Sequence, residues 1–136
     1  MTETIEAQLN TARVARAGGH RMEARNAYAQ AAALSREGGH PRLQAHALRH
    51  LSDIDRDSGQ ADAALAHAEQ ALALYRAHGG VDGTDLPNAL RLKAQALDAL
   101  RRREAALLAW TEARDLYAAA GIAAGVADCE ARLEAE

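Results

Sequence analysis

Aromatic side chains are almost missing from this sequence: in 136 residues there are one Trp, three Tyr and no Phe. A core without large rings must be built from Leu and Ala, which favours close helix–helix contact over thick sheet packing. β-branched residues are sparse too, so strands have little to be made from. Cysteine is down to Cys129 alone, which excludes an internal disulfide and a metal site built from thiolates. A single thiol of this kind reads as a small apolar residue on a helix face. No excess of positive charge exists: 16 Lys and Arg stand against 19 Asp and Glu, a net −3. That argues against nucleic acid as a partner, because displacing counterions from phosphates needs a concentrated basic face. Nor is there an apolar run long enough to span a bilayer, and the opening MTETIEAQLNTARV is acidic, without the apolar segment of a secretory leader. These absences predict a cytoplasmic, all-α protein that engages no membrane.

What is present is alanine, at regular intervals. Gln60–Gly80 reads QADAALAHAEQALALYRAHGG, Arg102–Gly121 reads RREAALLAWTEARDLYAAAG, and His20–Gly39 is a looser version. Gly18-Gly19, Gly38-Gly39, Gly59, Gly79-Gly80, Gly83 and Gly121 each fall where a helix-period pattern stops, the place of a left-handed C-cap. Pro41 and Pro87 lie just inside the following helix, where a missing N–H costs nothing, and Thr84 or Asp85 is placed to cap the helix that Pro87 opens. The punctuation predicts seven helices, at about 3–17, 20–37, 41–57, 60–78, 86–101, 103–120 and 122–134. Connections this short make consecutive helices antiparallel neighbours. Laying Gly19 on Gly59 superposes Ala24 on Ala64 and Ala31 on Ala71; laying Ala64 on Ala106 superposes Ala71 on Ala113 and Tyr75 on Tyr117. Two alanines seven residues apart on one helix face let a neighbouring backbone come close. Stacked hairpins then complete each other's core.

The string LSDIDRDSGQADAALAHAEQALALY resembles a tetratricopeptide repeat, with Leu51-Ser52, the turn residue Gly59, and Ala64 and Ala71 on the second helix. The wider spacing seen here is most similar to the elongated repeats of kinesin light chains and some bacterial regulators. The resemblance implies a single domain over 1–136, with repeats at about 5–39, 45–79 and 87–121 and a capping helix at 122–136. It further implies a right-handed α-α superhelix, a solenoid of three hairpins plus that cap. Asp55 stands where the family usually has Tyr, and Arg101 replaces the turn glycine of the third repeat. First helices of such hairpins line a concave surface. The carried-over groove positions are Glu6, Leu9, Arg13 and Arg16; His46, Arg49, His50, Asp53 and Arg56; and Asn88, Arg91, Leu92, Gln95 and Asp98. The chaperone-binding members' Lys/Asn/Arg clamp is not reproduced, so chaperone tails are not expected as ligands.

Helical spacing supports the same face independently. Residues 46, 49, 50, 53 and 56 form one polar stripe, and Leu43, Ala47, Leu51 and Ile54 the opposite apolar one. Arg49 and Arg91 hold equivalent repeat positions and should project side by side, a pairing suited to an acidic peptide or the C-terminus of a protein. His46 and His50 have the spacing of a metal pair, and Asp53 is placed to add a third ligand, but without further His or Cys nearby no metal and no cofactor is expected. His20, His40, His67 and His78 read as solvent-facing. GGVDGTD, at 79–85, lacks the carboxylates of a calcium loop and reads as a flexible linker. No catalytic signature occurs, and the protein is not expected to be an enzyme. Trp110, Tyr75 and Tyr117 read as packing between repeats. The expectation is a non-enzymatic interaction module that binds a peptide or protein segment in a locally basic groove. Two alternatives stay open: a self-associating, homodimeric adaptor held by the stripe Ile122, Val126, Cys129 and Leu133, and a ligand-sensing regulatory fragment.

Overall fold

The computed structural model describes residues 2–135, and among them it forms seven helices: α1 (Thr2–Ala17), α2 (Arg21–Glu37), α3 (Pro41–Asp57), α4 (Ala61–His78), α5 (Asp85–Ala99), α6 (Arg103–Ala119) and α7 (Ala123–Glu134). Each helix packs against the one that follows it. α3 also touches α5. One apolar cluster runs from Ile5 in α1 to Cys129 in α7. The repeat alanines occupy its most crowded places: Ala24, Ala31, Ala64, Ala71, Ala106 and Ala113 are all 0% exposed. Trp110 is likewise fully enclosed, with Tyr28, Tyr75 and Tyr117 nearly so. The few rings present are thus spent on packing.

Helix ends follow local chemistry. At the ends of α1, α2, α3, α5 and α6 the backbone closes with a six-to-one bond, such as Gln60 N–H to Asp55 C=O at 2.8 Å and Arg102 N–H to Leu97 C=O at 2.9 Å. The residue just before the last donor has positive φ in every case. It is a glycine at four of these turns, with φ +79° at Gly59, whereas Arg101 takes φ +60° at the fifth. A side chain with a Cβ is strained there. α5 accordingly stops at Ala99, two residues earlier than its sequence pattern implies. Arg101→Gly is expected to stabilise the protein by about 0.5–1 kcal/mol, the relieved strain outweighing the greater freedom of the unfolded glycine. Thermal unfolding would register this as a rise of a few degrees in Tm.

Two local expectations need correction. Thr84 does not cap α5 with its hydroxyl; that group and the Thr84 N–H both donate to Asp82 instead, at 2.5 and 2.8 Å. Asp85 turns back to accept from the N–H of Val81 at 2.6 Å. The 79–85 connection, read as a flexible linker, is therefore hydrogen-bonded within itself, and Arg42 of α3 binds the carbonyls of His78 and Gly79. The carboxylates win because they satisfy backbone donors that a tight turn would otherwise leave open.

The apolar stripe of α7 packs on the core with one residue enclosed and three half-buried. Cys129 is fully buried, and Ile122, Val126 and Leu133 pack on the core. Burial pushes the Cys129 thiol above its ordinary pKa, so it stays protonated. α7 approaches α6 so closely at Gly125 that a Cβ there would stand 2.5 Å from the Tyr117 ring. Nothing in the spacing of AAGVADCEARLEAE marks that glycine as special. Only the packing does.

Candidate functional site

The first helices of the hairpins present one continuous polar face, joined by side chains 30 to 40 residues apart in sequence. Arg16 of α1 reaches across to Asp53 and donates to His50 Nδ1 at 3.0 Å, both on α3. Arg56 of α3 binds Asp53 at 2.7 Å and also donates to Gln95 Oε1 on α5. Asp53 thus lies between two guanidiniums. Burial, the largest influence, works to raise its pKa, but hydrogen bonds and charge from Arg16 and Arg56 prevail and hold it below the usual carboxylate value. Arg49, the predicted partner of Arg91, is engaged by Asp85 at 3.1 Å, and both groups are largely enclosed. Arg49 and Arg91 nevertheless border one cleft of about 150 Å³, together with His50, Asp53, Asn88 and Leu92.

Two histidines and a tyrosine form an aromatic cluster on the same face. The rings of Tyr28 and His50 stack at 4.7 Å, 5° from parallel, and His46 meets His50 edge-on at 4.6 Å. Burial first, then His46 and the guanidiniums of Arg49 and Arg16, push His50 down to about pKa 4. His46 is lowered by burial and by Arg49, against the opposing charge of Asp85. His50 is therefore a neutral acceptor for Arg16 near neutral pH. Among the described residues, no group of three or more His, Cys, Asp or Glu is placed to hold a metal ion.

The remaining candidates divide. Arg13 lies exposed and donates to Asn10 at 2.7 Å, apart from the network. Glu6 is exposed, while Leu9 packs on the core and Leu92 is buried. Asp98 is used structurally: it accepts from Trp110 Nε1 at 2.8 Å and from Arg103 at 3.0 Å. His67 is not solvent-facing as expected. Its Nδ1 lies 2.9 Å from Asp55, a carboxylate that is 1% exposed and that also accepts from Arg25 at 2.8 Å. A buried carboxylate requires such partners.

Two features of the face escape sequence reasoning: Tyr28, supplied by α2, and Asp85, the first residue of α5. Tyr28 lies on a second helix, and Asp85 is read from the sequence only as a cap, so neither is legible as part of the polar face. Among the described residues, no helix is long and apolar enough to cross a membrane. The sequence matches no family model, no curated protein and no solved structure.

Proposed function

We propose that this protein is a non-enzymatic interaction module that binds a peptide or protein segment across the polar face of α1, α3 and α5. The observation that carries the reading is the cleft bordered by Arg49, His50, Asp53, Asn88, Arg91 and Leu92. It puts hydrogen-bonding groups from two hairpins around an apolar floor, the mix that recognises an extended segment. The resemblance to tetratricopeptide repeats supports the same choice of face, and with it a superhelical, concave arrangement of the hairpins. The surface is locally basic although the protein is acidic overall, so an acidic segment is the complementary partner. Small-angle scattering tests the superhelical shape separately from binding.

The binding test is affinity capture from a lysate of the source organism, with the wild type beside an Arg49→Glu/Arg91→Glu variant shown to be folded by circular dichroism. A partner held by the wild type and lost from the variant is the expected result. Capture that survives the double charge reversal overturns the reading and moves attention to the opposite face.

A further inference from the structure

Arg91 differs from the other arginines of this face. Arg16, Arg49 and Arg56 each face a carboxylate of the protein, whereas Arg91 makes no ion pair among the described residues. Its Nε–H is buried and, among the described residues, has no hydrogen-bond acceptor. A buried guanidinium donor without an acceptor costs free energy that a ligand supplying the acceptor would recover.

The neighbours on α5 complete the case. Asn88, Arg91 and Gln95 fall at i, i+3 and i+7, one helix face, and all three line a cleft of about 330 Å³ between α5, α6 and α7. The acceptor oxygen of each amide is already taken. The Tyr117 hydroxyl donates to Asn88 Oδ1, and Arg56 donates to Gln95 Oε1. Those bonds fix the orientation of both amides and leave their NH₂ groups as donors. The α5 wall of the cleft therefore carries donors: two amide NH₂ groups and the guanidinium of Arg91, whose Nε–H is enclosed behind it. Across it stand Asp128 and Arg132 of α7, 3.9 Å apart and offsetting each other's charge. With Arg91 the balance is one net positive charge, which suits a single negative charge on a planar pair of oxygens.

We infer that Asn88, Arg91 and Gln95 form a binding site for a peptide carboxylate, either the side chain of an Asp or Glu or a free C-terminus. The site rests on the reading of this face as a peptide-binding surface, and names the group that anchors the segment. It assigns the anchoring role to Arg91 and leaves Arg49 to Asp85.

The test uses the full-length protein and small probes, read in ¹H–¹⁵N spectra at constant ionic strength. N-acetylglycine stands in for a C-terminus, N-acetylaspartate N-methylamide with a free β-carboxyl for an acidic residue, and N-acetylglycinamide is the neutral control. The Arg91 Nε–H and the NH₂ groups of Asn88 and Gln95 are expected to shift saturably with a carboxylate probe and not with the control. The tighter of the two carboxylates identifies the source. Arg91→Lys keeps the charge but not the two-pronged edge, and is expected to weaken binding about tenfold; Arg91→Gln should abolish it. Shifts equal to those of the neutral control, or saturable binding that survives both variants, overturn the site. The two readings fail separately. Partner capture that persists in Arg91→Gln removes the carboxylate anchor and leaves the binding face standing. Wild-type protein that captures nothing removes the face, and the probe titration still decides the site.

Discussion

An Arg25→Met/His67→Leu double variant should lose about 3–5 kcal/mol of folding stability, a large share of what a domain of this size possesses. These two side chains hold Asp55, whose carboxylate is 1% exposed. Without them the charge stays buried with no counterion, and taking it out of water is no longer offset. Removing the carboxylate itself should cost far less, because Arg25 and His67 both retain some solvent contact. Asp55→Leu has a precedent within the protein: a shift of 42 residues lays Asp55 on Leu97, which is buried at the matching place in α5. Urea denaturation of the wild type, the double variant and Asp55→Leu measures all three. The ordering is the prediction. If the double variant were as stable as Asp55→Leu, the buried hydrogen-bonded triad would not be the main determinant at this position.

Acidification should weaken the fold through His50. Its pKa falls from the ordinary 6.5 in an unfolded polypeptide to about 4 in the folded one. Between those values the unfolded state binds a proton that the native state does not. Stability is therefore full above pH 6.5 and declines as pH drops towards 4, by about 3 kcal/mol for this group. His46 is shifted in the same direction and adds to the slope. Asp53, also lowered, contributes stability that is lost only below its ordinary value of 3.8, so it does not act in this window. The charges facing His50 are those of Arg16, Arg49, His46 and Asp53, and the ring of Tyr28 closes its other side. Denaturant midpoints measured across the window should fall steeply in the wild type. In His50→Gln only the shallower slope of His46 should remain. An unchanged slope in that variant would mean that the imidazole is more accessible to water than its stacking on Tyr28 implies.

Much of the architecture is legible in the amino-acid order. Helix positions follow from apolar periodicity and from glycines at the stops, and both act within a few residues, so the seven helices lie close to where the pattern puts them. Arg101 shows the limit of that reading. It announces a missing glycine, but only the fold shows that the turn keeps its left-handed residue and carries the strain. The polar face is legible as a stripe on α3 and as repeat-equivalent residues on α5. Its internal wiring is not. Arg49 and Arg91 are equivalent by repeat, yet Asp85 answers one and, among the described residues, no carboxylate answers the other. That difference comes from Asp85, which opens α5 and reaches Arg49 of α3 rather than Arg91 of its own helix.

What the sequence by itself determined is what short-range rules control: an all-helical protein, its turns, and alanines spaced for close packing. Tertiary structure alone decided which charges meet, which donor is left without an acceptor, and why residue 125 has no side chain. Helix propensity and periodicity act over one or two turns. The pairs Arg16–Asp53, Arg25–Asp55 and Arg49–Asp85 join residues 30 to 37 positions apart, and only the docking of one hairpin on the next brings them within reach.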